Sequence, residues 1–172
     1  MRSFGELVVW PVTLRARELG RRCRSDHYLA LIRPAQPEDL ETVRGFLREY
    51  ADSLGLDLSF QDFESELADP LGFYELVLLA EKGCVALRRI DELTCEMKRL
   101  YVRPAGRGSG LGRELAHAVI AEARALGYSR MLLDTLPEMT AAQALYRSLG
   151  FRETEPYRHN PVRGAVYLEL TL

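Results

Sequence analysis

The apolar residues in the first part of the chain follow two spacings, one typical of strands and one typical of helices. Residues 28–33 are rich in strand formers, and the proline-containing segment 34–37 ends that strand. A helical spacing then begins at Pro37, which suits a first helical position, and a second, shorter helix is predicted over residues 61–68. The positions that carry the first helical spacing are Leu40, Val43, Leu47, Tyr50 and Leu54.

Three strand patterns follow. Residues 75–80 and 84–90 predict two strands joined by a tight turn around Lys82-Gly83, and residues 94–102 predict a third. Short connections of this kind favour an antiparallel meander.

The pattern returns to helical spacing after Val102, so the predicted fold is of the mixed α/β class. Gly127 and Gly150 stand where two helices would end. The predicted elements are a helix from Leu111 to Leu126, a buried strand over 130–135, a helix over 137–149, and final strands over 151–153 and 165–170.

Length and composition predict one folded domain. The chain has 172 residues, of which 47% are apolar and 28% are charged, and these proportions are globular. Residues 27–172 are expected to form the domain, and the arginine-rich residues 1–26 an extension outside its core. The alternatives for this extension are a regulatory arm and an arm that forms a homodimer.

Charge and cysteine content bound the function. A net charge of -2 gives no basic footprint for nucleic acid, and no apolar run approaches the roughly 20 residues that cross a bilayer. Cys23, Cys84 and Cys95 are odd in number and match no metal-ligand spacing. The expectation is a cytoplasmic protein with reduced thiols, no bound metal, and neither a nucleic acid nor a membrane as partner.

A glycine-rich loop joins the strand over 94–102 to the following helix. Its sequence is Arg107-Gly108-Ser109-Gly110-Leu111-Gly112, and backbone N–H groups at a helix start can bind an anion such as pyrophosphate. Arg113 follows where a Walker A loop needs Lys, and neither register of a Rossmann fingerprint fits. Taken alone, the loop could also be a plain turn and helix start.

Three motifs in order resemble the GNAT superfamily of N-acetyltransferases. Arg-x-x-Gly-x-Gly at residues 107–112 resembles its coenzyme A loop, residues 96–102 resemble its fourth strand, and the pattern from Ala142 through Tyr146 to Gly150-Phe151 resembles its helix-to-strand segment. The resemblance covers about residues 28–172. It implies a central, mostly antiparallel sheet that is splayed between strands four and five and flanked by helices.

The same resemblance implies acetyl-CoA as co-substrate, with its pantetheine arm in a V-shaped opening between the strands over 94–102 and 130–135. Strict alternation would place the charged Glu96 and Lys98 on the same face as the apolar Leu100 and Val102. Because such a mixed face packs poorly, we predict a bulge near residues 99–101. The residues expected to contact the cofactor are Leu100, Tyr101, Val102, Arg107, Gly108, Ser109, Gly110, Leu111, Gly112, Ala142 and Tyr146.

Two positions depart from the family pattern. Met139 stands where many members carry an asparagine, which would remove one polar cofactor contact. The turn at residues 81–83 is tight, which leaves the strand lengths near the acceptor side open.

Catalysis needs a base for the amine and an acid for the departing thiolate. Glu96 lies eleven residues before Arg107, as the general-base glutamate does in histone-acetylating members, and Tyr146 is the implied acid. The alternatives are that Glu96 is a strand carboxylate paired with Lys98 or Arg88, and that Tyr146 is a packing residue. Asp134 is a second candidate base.

The predicted function is transfer of an acetyl group from acetyl-CoA to the primary amine of a small molecule, by direct attack in a ternary complex. The candidate acceptor contacts are Tyr157, Arg158, His159 and Asn160 in the proline-containing connection over 156–164, and Arg99 or Arg163 would hold a carboxylate on the acceptor. The alternatives are a protein or peptide N-acetyltransferase and a non-catalytic acyl-CoA sensor.

Overall fold

A computed structural model of the chain describes residues 31–55, Leu58 and residues 62–172. The predicted extension over residues 1–26 and the boundary at His27 lie outside the described residues.

The described residues form seven strands and five α-helices, joined by 3-10 helices, turns and loops. The strands are β1 (Arg33–Pro34), β2 (Leu76–Ala80), β3 (Gly83–Arg89), β4 (Thr94–Val102), β5 (Arg130–Thr135), β6 (Arg152–Glu153) and β7 (Val166–Thr171). The helices are α1 (Leu40–Leu54), α2 (Phe63–Ala68), α3 (Pro70–Phe73), α4 (Leu111–Ala125) and α5 (Thr140–Ser148).

The described strands form one mixed sheet with the order β1-β2-β3-β4-β5-β7-β6. The β4–β5 pair is parallel and the other pairs are antiparallel. The chain needs a crossover to enter a parallel partner, and α4 supplies it between β4 and β5. The predicted α/β class and mostly antiparallel sheet are confirmed.

Helices cover both faces of the sheet. On one face α4 packs on β3 and β4, and its fully buried Leu115, Val119 and Ala123 enter the larger core cluster. On the other face α1 contributes Val43 and Phe46 to a second cluster. Burial of these apolar side chains on both faces is the main favourable contribution to folding.

Several element boundaries differ from the predicted ones. Pro34 lies within β1 instead of ending the strand, and α1 begins at Leu40 after a 3-10 helix over Pro37–Asp39. The short helix α3 was not predicted, because four residues are too few to show a helical spacing; the Asp69 side chain caps it by accepting from the Gly72 N–H at 3.0 Å. Helix α5 begins at Thr140 instead of Pro137, since Met139 N–H first turns back to the Leu136 carbonyl at 3.1 Å.

The bulge predicted in β4 is confirmed. Cys84 pairs with Tyr101 and Ala86 with Lys98, so one residue of β3 faces two of β4. Arg99, one of those two, has a φ of 54°, which a non-glycine residue rarely adopts. The bulge moves Leu100 and Val102 onto the α4 face, while Tyr101 packs in the α1 cluster.

Candidate active site

A cleft opens where β4 and β5 part. Their parallel pairing runs from Thr94 with Arg130 to Glu96 with Leu132, and it continues no further among the described residues. The cleft encloses about 600 Å³ of space, including its open mouth. Its polar lining residues are Tyr50, Lys98, Arg99, Asp134, Thr135, Tyr146 and Asn160.

The glycine-rich loop lies at the start of α4 and leaves space for an anion. Gly108 and Gly110 have φ angles of 79° and 92°, and a Cβ added at either would meet no atom within 4 Å. Within the described part of the chain, the N–H groups of Gly108, Ser109, Gly110 and Gly112 donate to no protein acceptor. Unpaired donors at a helix start, beside open space, fit a phosphate group.

Side-chain contacts fix the shape of this loop. Ser109 Oγ donates to the Gly106 carbonyl at 2.7 Å, and the exposed Arg107 donates through Nε to the Val102 carbonyl at 3.1 Å. The loop is thereby tied to the end of β4, and its backbone donors are oriented before any ligand binds.

Among the other predicted cofactor contacts, Leu100 and Tyr146 line the cleft. The Tyr101 ring instead packs edge-on against Phe46 and Tyr50 under α1, so only its backbone is available to a ligand in the cleft. Ala142 is partly buried against the core on α5.

Glu96 is fully buried, and it does not line the cleft. Its Oε1 accepts from Tyr157 Oη at 2.7 Å and from Arg158 Nη1 at 3.2 Å, and Arg88 Nη2 lies 2.6 Å from Oε2. Burial alone would raise its pKa, but the charges of Lys98, Arg88 and Arg158 with the Tyr157 hydrogen bond lower it. Glu96 thus forms ion pairs with both Arg88 and Lys98, which is the alternative that the sequence left open. Direct action of Glu96 as a base stays a prediction.

An ion pair crosses the gap between the parted strands. Lys98 Nζ on β4 lies 3.3 Å from Asp134 Oδ1 on β5 and 3.7 Å from Glu96 Oε1. Burial would raise the pKa of Asp134, but Lys98 and Arg158, with the hydrogen bond from Asn160, lower it. Asp134 is therefore ionised at neutral pH, and as a base it is weak.

Arg99 lines the cleft, and its guanidinium is hydrogen-bonded to a buried carboxylate of α2. Its Nε and Nη2 donate to the buried Glu66 of α2 at 2.8 and 2.6 Å. Its guanidinium carbon lies 5.3 Å from the centre of the Tyr50 ring and 5.4 Å from that of Phe63. The predicted contact between Arg99 and an acceptor stays a prediction, because the two bonds to Glu66 account for much of its hydrogen-bonding capacity.

Tyr146 projects from α5 into the cleft and is 7% exposed. Its ring packs edge-on against Phe151, with centroids 5.8 Å apart. Burial raises the pKa of its hydroxyl above the ordinary value, so the group carries its proton at every physiological pH. That is the state a proton donor needs.

The connection between β6 and β7 reaches the same cleft, as its composition predicted. Asn160 lines the cleft and donates through Nδ2 to Asp134 Oδ2 at 2.9 Å. Tyr157 donates its hydroxyl hydrogen bond to Glu96, and its ring packs edge-on against Tyr167. Arg158, a candidate acceptor contact, binds Glu96 instead. Lys98 was not among the predicted site residues; its place in the strand over 94–102, two residues after Glu96, was a signal for it.

The comparisons with known proteins agree with this geometry. The acetyltransferase (GNAT) family profile matches residues 40–151, which include β4, the glycine loop and α5. An N-acetyltransferase of Schizosaccharomyces pombe is 42% identical over 147 residues, which is 79% of this chain and 90% of that protein. This chain belongs to the GNAT family.

Two more GNAT relatives bear on the site. A putative acetyltransferase of Salmonella typhimurium, solved with its cofactor acetyl-CoA, has a TM-score of 0.61 and 25% identity. The match covers 83% of this chain and 93% of that one, so the fold is shared. The N-acetylaspartate synthetase of Danio rerio is 38% identical over 109 residues, which cover 59% of this chain and 39% of that protein.

The described residues contain neither a metal-ligand cluster nor a helix that could span a membrane. Among residues 31–55, 58 and 62–172, no His, Cys, Asp or Glu side chains group in threes as metal ligands do. No helix in that part of the GNAT chain has the length and apolar character needed to span a bilayer.

Proposed function

We propose that this protein transfers the acetyl group of acetyl-CoA to the primary amine of a small molecule, by direct attack while both substrates are bound. The observation that carries the proposal is the cleft between β4 and β5, which has the glycine-rich loop after the end of β4 and the buried ion pair of Lys98 and Asp134 in its lining. Such a cleft brings two substrates together, which lowers the entropic part of the barrier.

Residues of the loop and of β4 would hold the cofactor. The N–H groups of Gly108, Ser109, Gly110, Leu111 and Gly112 would bind its pyrophosphate, with Arg107 beside them. Backbone at Leu100 and Val102, turned by the bulge, would pair with the pantetheine arm, and Ala142 would border it. The bound cofactor supplies the activated acetyl thioester.

Tyr146 would serve as the general acid. Tyr146 lines the cleft, its hydroxyl holds its proton, and the packing of its ring against Phe151 fixes the side chain on α5. When the tetrahedral intermediate collapses, the C–S bond breaks and Tyr146 gives its proton to the departing sulfur.

Replacing Tyr146 by phenylalanine should lower turnover by at least about tenfold, or about 1.4 kcal/mol of barrier. The ring packing against Phe151 remains, so the melting temperature and the affinity for acetyl-CoA should change little. Steady-state rates, calorimetric binding and thermal unfolding of the same preparation measure all three. Unchanged turnover together with a lower melting temperature would make the hydroxyl structural.

The contacts of the β6–β7 connection favour a small acceptor over a polypeptide. Asn160 donates to Asp134, and Tyr157 and Arg158 donate to Glu96, so three side chains of the connection are held against β4 and β5 beside the cleft. A peptide needs an open, elongated groove. The zebrafish relative, named for making N-acetylaspartate, gives an example of an amino-acid acceptor.

The acceptor class can be tested with a panel of amino acids, polyamines, aminoglycosides and short peptides. At equal amine concentrations, small amines should give the higher kcat/KM. A peptide N-terminus that exceeds every small amine would instead favour the protein-acetylating alternative. Initial rates that give parallel double-reciprocal lines would contradict direct attack, which predicts intersecting lines.

A further inference from the structure

Lys98 lines the cleft, and the proposed function gives its amino group no role. Lys98 lies on β4, two residues past the last pairing with β5, and is 6% exposed. Its Nζ lies between two carboxylates, 3.3 Å from Asp134 Oδ1 and 3.7 Å from Glu96 Oε1. Lys98 and Tyr146 line the same cleft from different elements.

The residue type at this position is unusual for this chain. Of its 23 Lys and Arg residues only Lys82 and Lys98 are lysines. The other cations around the site are the arginines Arg88, Arg99 and Arg158. Lysine differs from arginine in that it can lose its proton in a buried site and then act as a base. Lys98 is therefore the cation of this cluster that can exchange a proton.

We propose that Lys98 is a catalytic residue that takes the proton from the attacking amine. This inference rests on the proposed acetyl transfer. The neutral amine of the acceptor forms a bond to the carbonyl carbon of the thioester, and the nitrogen becomes positively charged. Neutral Lys98 Nζ accepts one proton from that nitrogen, the C–S bond breaks, and the sulfur takes its proton from Tyr146. Lys98 then releases that proton to solvent, and the Tyr146 phenolate takes one proton from solvent, so both residues return to their starting states.

Glu96 then has a different part in the reaction. It is fully buried, does not line the cleft, and lies 3.7 Å from Lys98 Nζ through Oε1, so its charge acts on Lys98 instead of on the substrate. Glu96 is thus a positioning residue.

The surrounding charges set the proton affinity of Lys98. Burial lowers its pKa to about 8, although the carboxylates of Glu96 on β4 and Asp134 on β5 raise it, and Arg99 on β4 and Arg158 on the β6–β7 connection lower it. Arg88 on β3 and Tyr157 meet Glu96, and Tyr50 on α1 and Tyr146 on α5 line the same cleft. A fraction of Lys98 is then neutral near neutral pH, whereas an ordinary lysine with a pKa of about 10.4 is almost fully charged.

The first test measures this titration without an acceptor. Lysine labelled with ¹³C at Cε is incorporated into Lys82→Arg protein, in which Lys98 gives the single lysine signal. Lys82 is exposed in the turn between β2 and β3, so its replacement should leave the fold and the rate unchanged. The Lys98 signal should titrate near pH 8. Titration near 10.4 would overturn the inference, because the residue would then be charged at working pH.

The second test links that titration to the rate. With the best amine of the panel as probe, kcat should rise with pH through the same pKa, because the neutral base is the active form. Lys98→Arg keeps the charge but cannot deprotonate, so kcat should fall by at least about 100-fold. Melting temperature and acetyl-CoA affinity of this variant check that it is folded. A folded Lys98→Arg variant with the wild-type rate would overturn the inference.

Glu96→Gln gives a test that does not depend on the folding of a Lys98 variant. Loss of the Glu96 charge should lower the pKa of Lys98, and the rising limb of kcat against pH should move to lower pH by the same amount. If instead the limb stays where it is and kcat falls by about 10²- to 10⁴-fold, Glu96 is the base and Lys98 is not. In that case the inference about Lys98 is wrong, but the proposed acetyl transfer is unaffected. If no amine of the panel is acetylated, the proposed function is wrong and the role of Lys98 falls with it.

Discussion

Replacing Gly110 by leucine should weaken the binding of acetyl-CoA by at least about 100-fold, or about 2.7 kcal/mol. Gly110 immediately precedes α4 with a φ of 92°, and a Cβ there would point into open space. In the proposed complex that space holds pyrophosphate, so a leucine side chain would collide with it and separate the backbone donors from the phosphate oxygens.

Gly127 provides a matched control at the other end of the same helix. Its φ is 91°, and a Cβ there would also meet no atom within 4 Å. Gly127→Leu should therefore carry the same backbone strain, about 1–2 kcal/mol of unfolding free energy, without any effect on acetyl-CoA. Calorimetric titration and thermal unfolding of both variants separate binding from stability. Equal affinities in the two variants would reject the loop as the pyrophosphate site.

Replacing Glu66 by alanine should lower the free energy of unfolding by about 3–5 kcal/mol and the melting temperature by on the order of 10 °C. Glu66 is fully buried and accepts two hydrogen bonds from the buried guanidinium of Arg99, so its removal takes away the carboxylate that pairs with this charge in the protein interior. Differential scanning calorimetry measures both quantities.

Two controls accompany this variant. Glu153→Ala breaks the exposed ion pair with Arg147 and should cost about 0.5 kcal/mol or less. The double variant Glu66→Leu with Arg99→Met replaces both buried charges by apolar groups and should recover much of the lost stability. A double variant as unstable as Glu66→Ala would show that changed packing, and not the loss of the Glu66–Arg99 charge pair, lowers the free energy of unfolding.

The order of elements could be predicted from the sequence because it depends on local patterns. The helical spacing of apolar residues in α1 and the strand formers of β4 are visible without any tertiary contact, and the family motifs placed the glycine loop between β4 and α4. The bulge followed from a conflict between alternation and residue type: Lys98 could not share a face with Leu100 without a change of register.

The contacts that define the chemistry could not be predicted in the same way. Glu66 meets Arg99 across 33 residues of sequence, and Glu96 meets Tyr157 and Arg158 across 61 and 62. No local pattern encodes such partners, so the sequence identified Glu96 as a candidate base without showing that it is buried behind Lys98.

The central claim, that this protein moves an acetyl group from acetyl-CoA to an amine, is tested most directly by measuring both products of one reaction. The protein is incubated with acetyl-CoA and each amine of the panel; free coenzyme A is followed with a thiol reagent and the acetylated amine by mass spectrometry. We predict that the two appear in equal amounts with at least one small amine, and that Tyr146→Phe slows both alike. Saturable acetyl-CoA binding without any acetylated amine would contradict the claim and identify the chain as an acyl-CoA sensor.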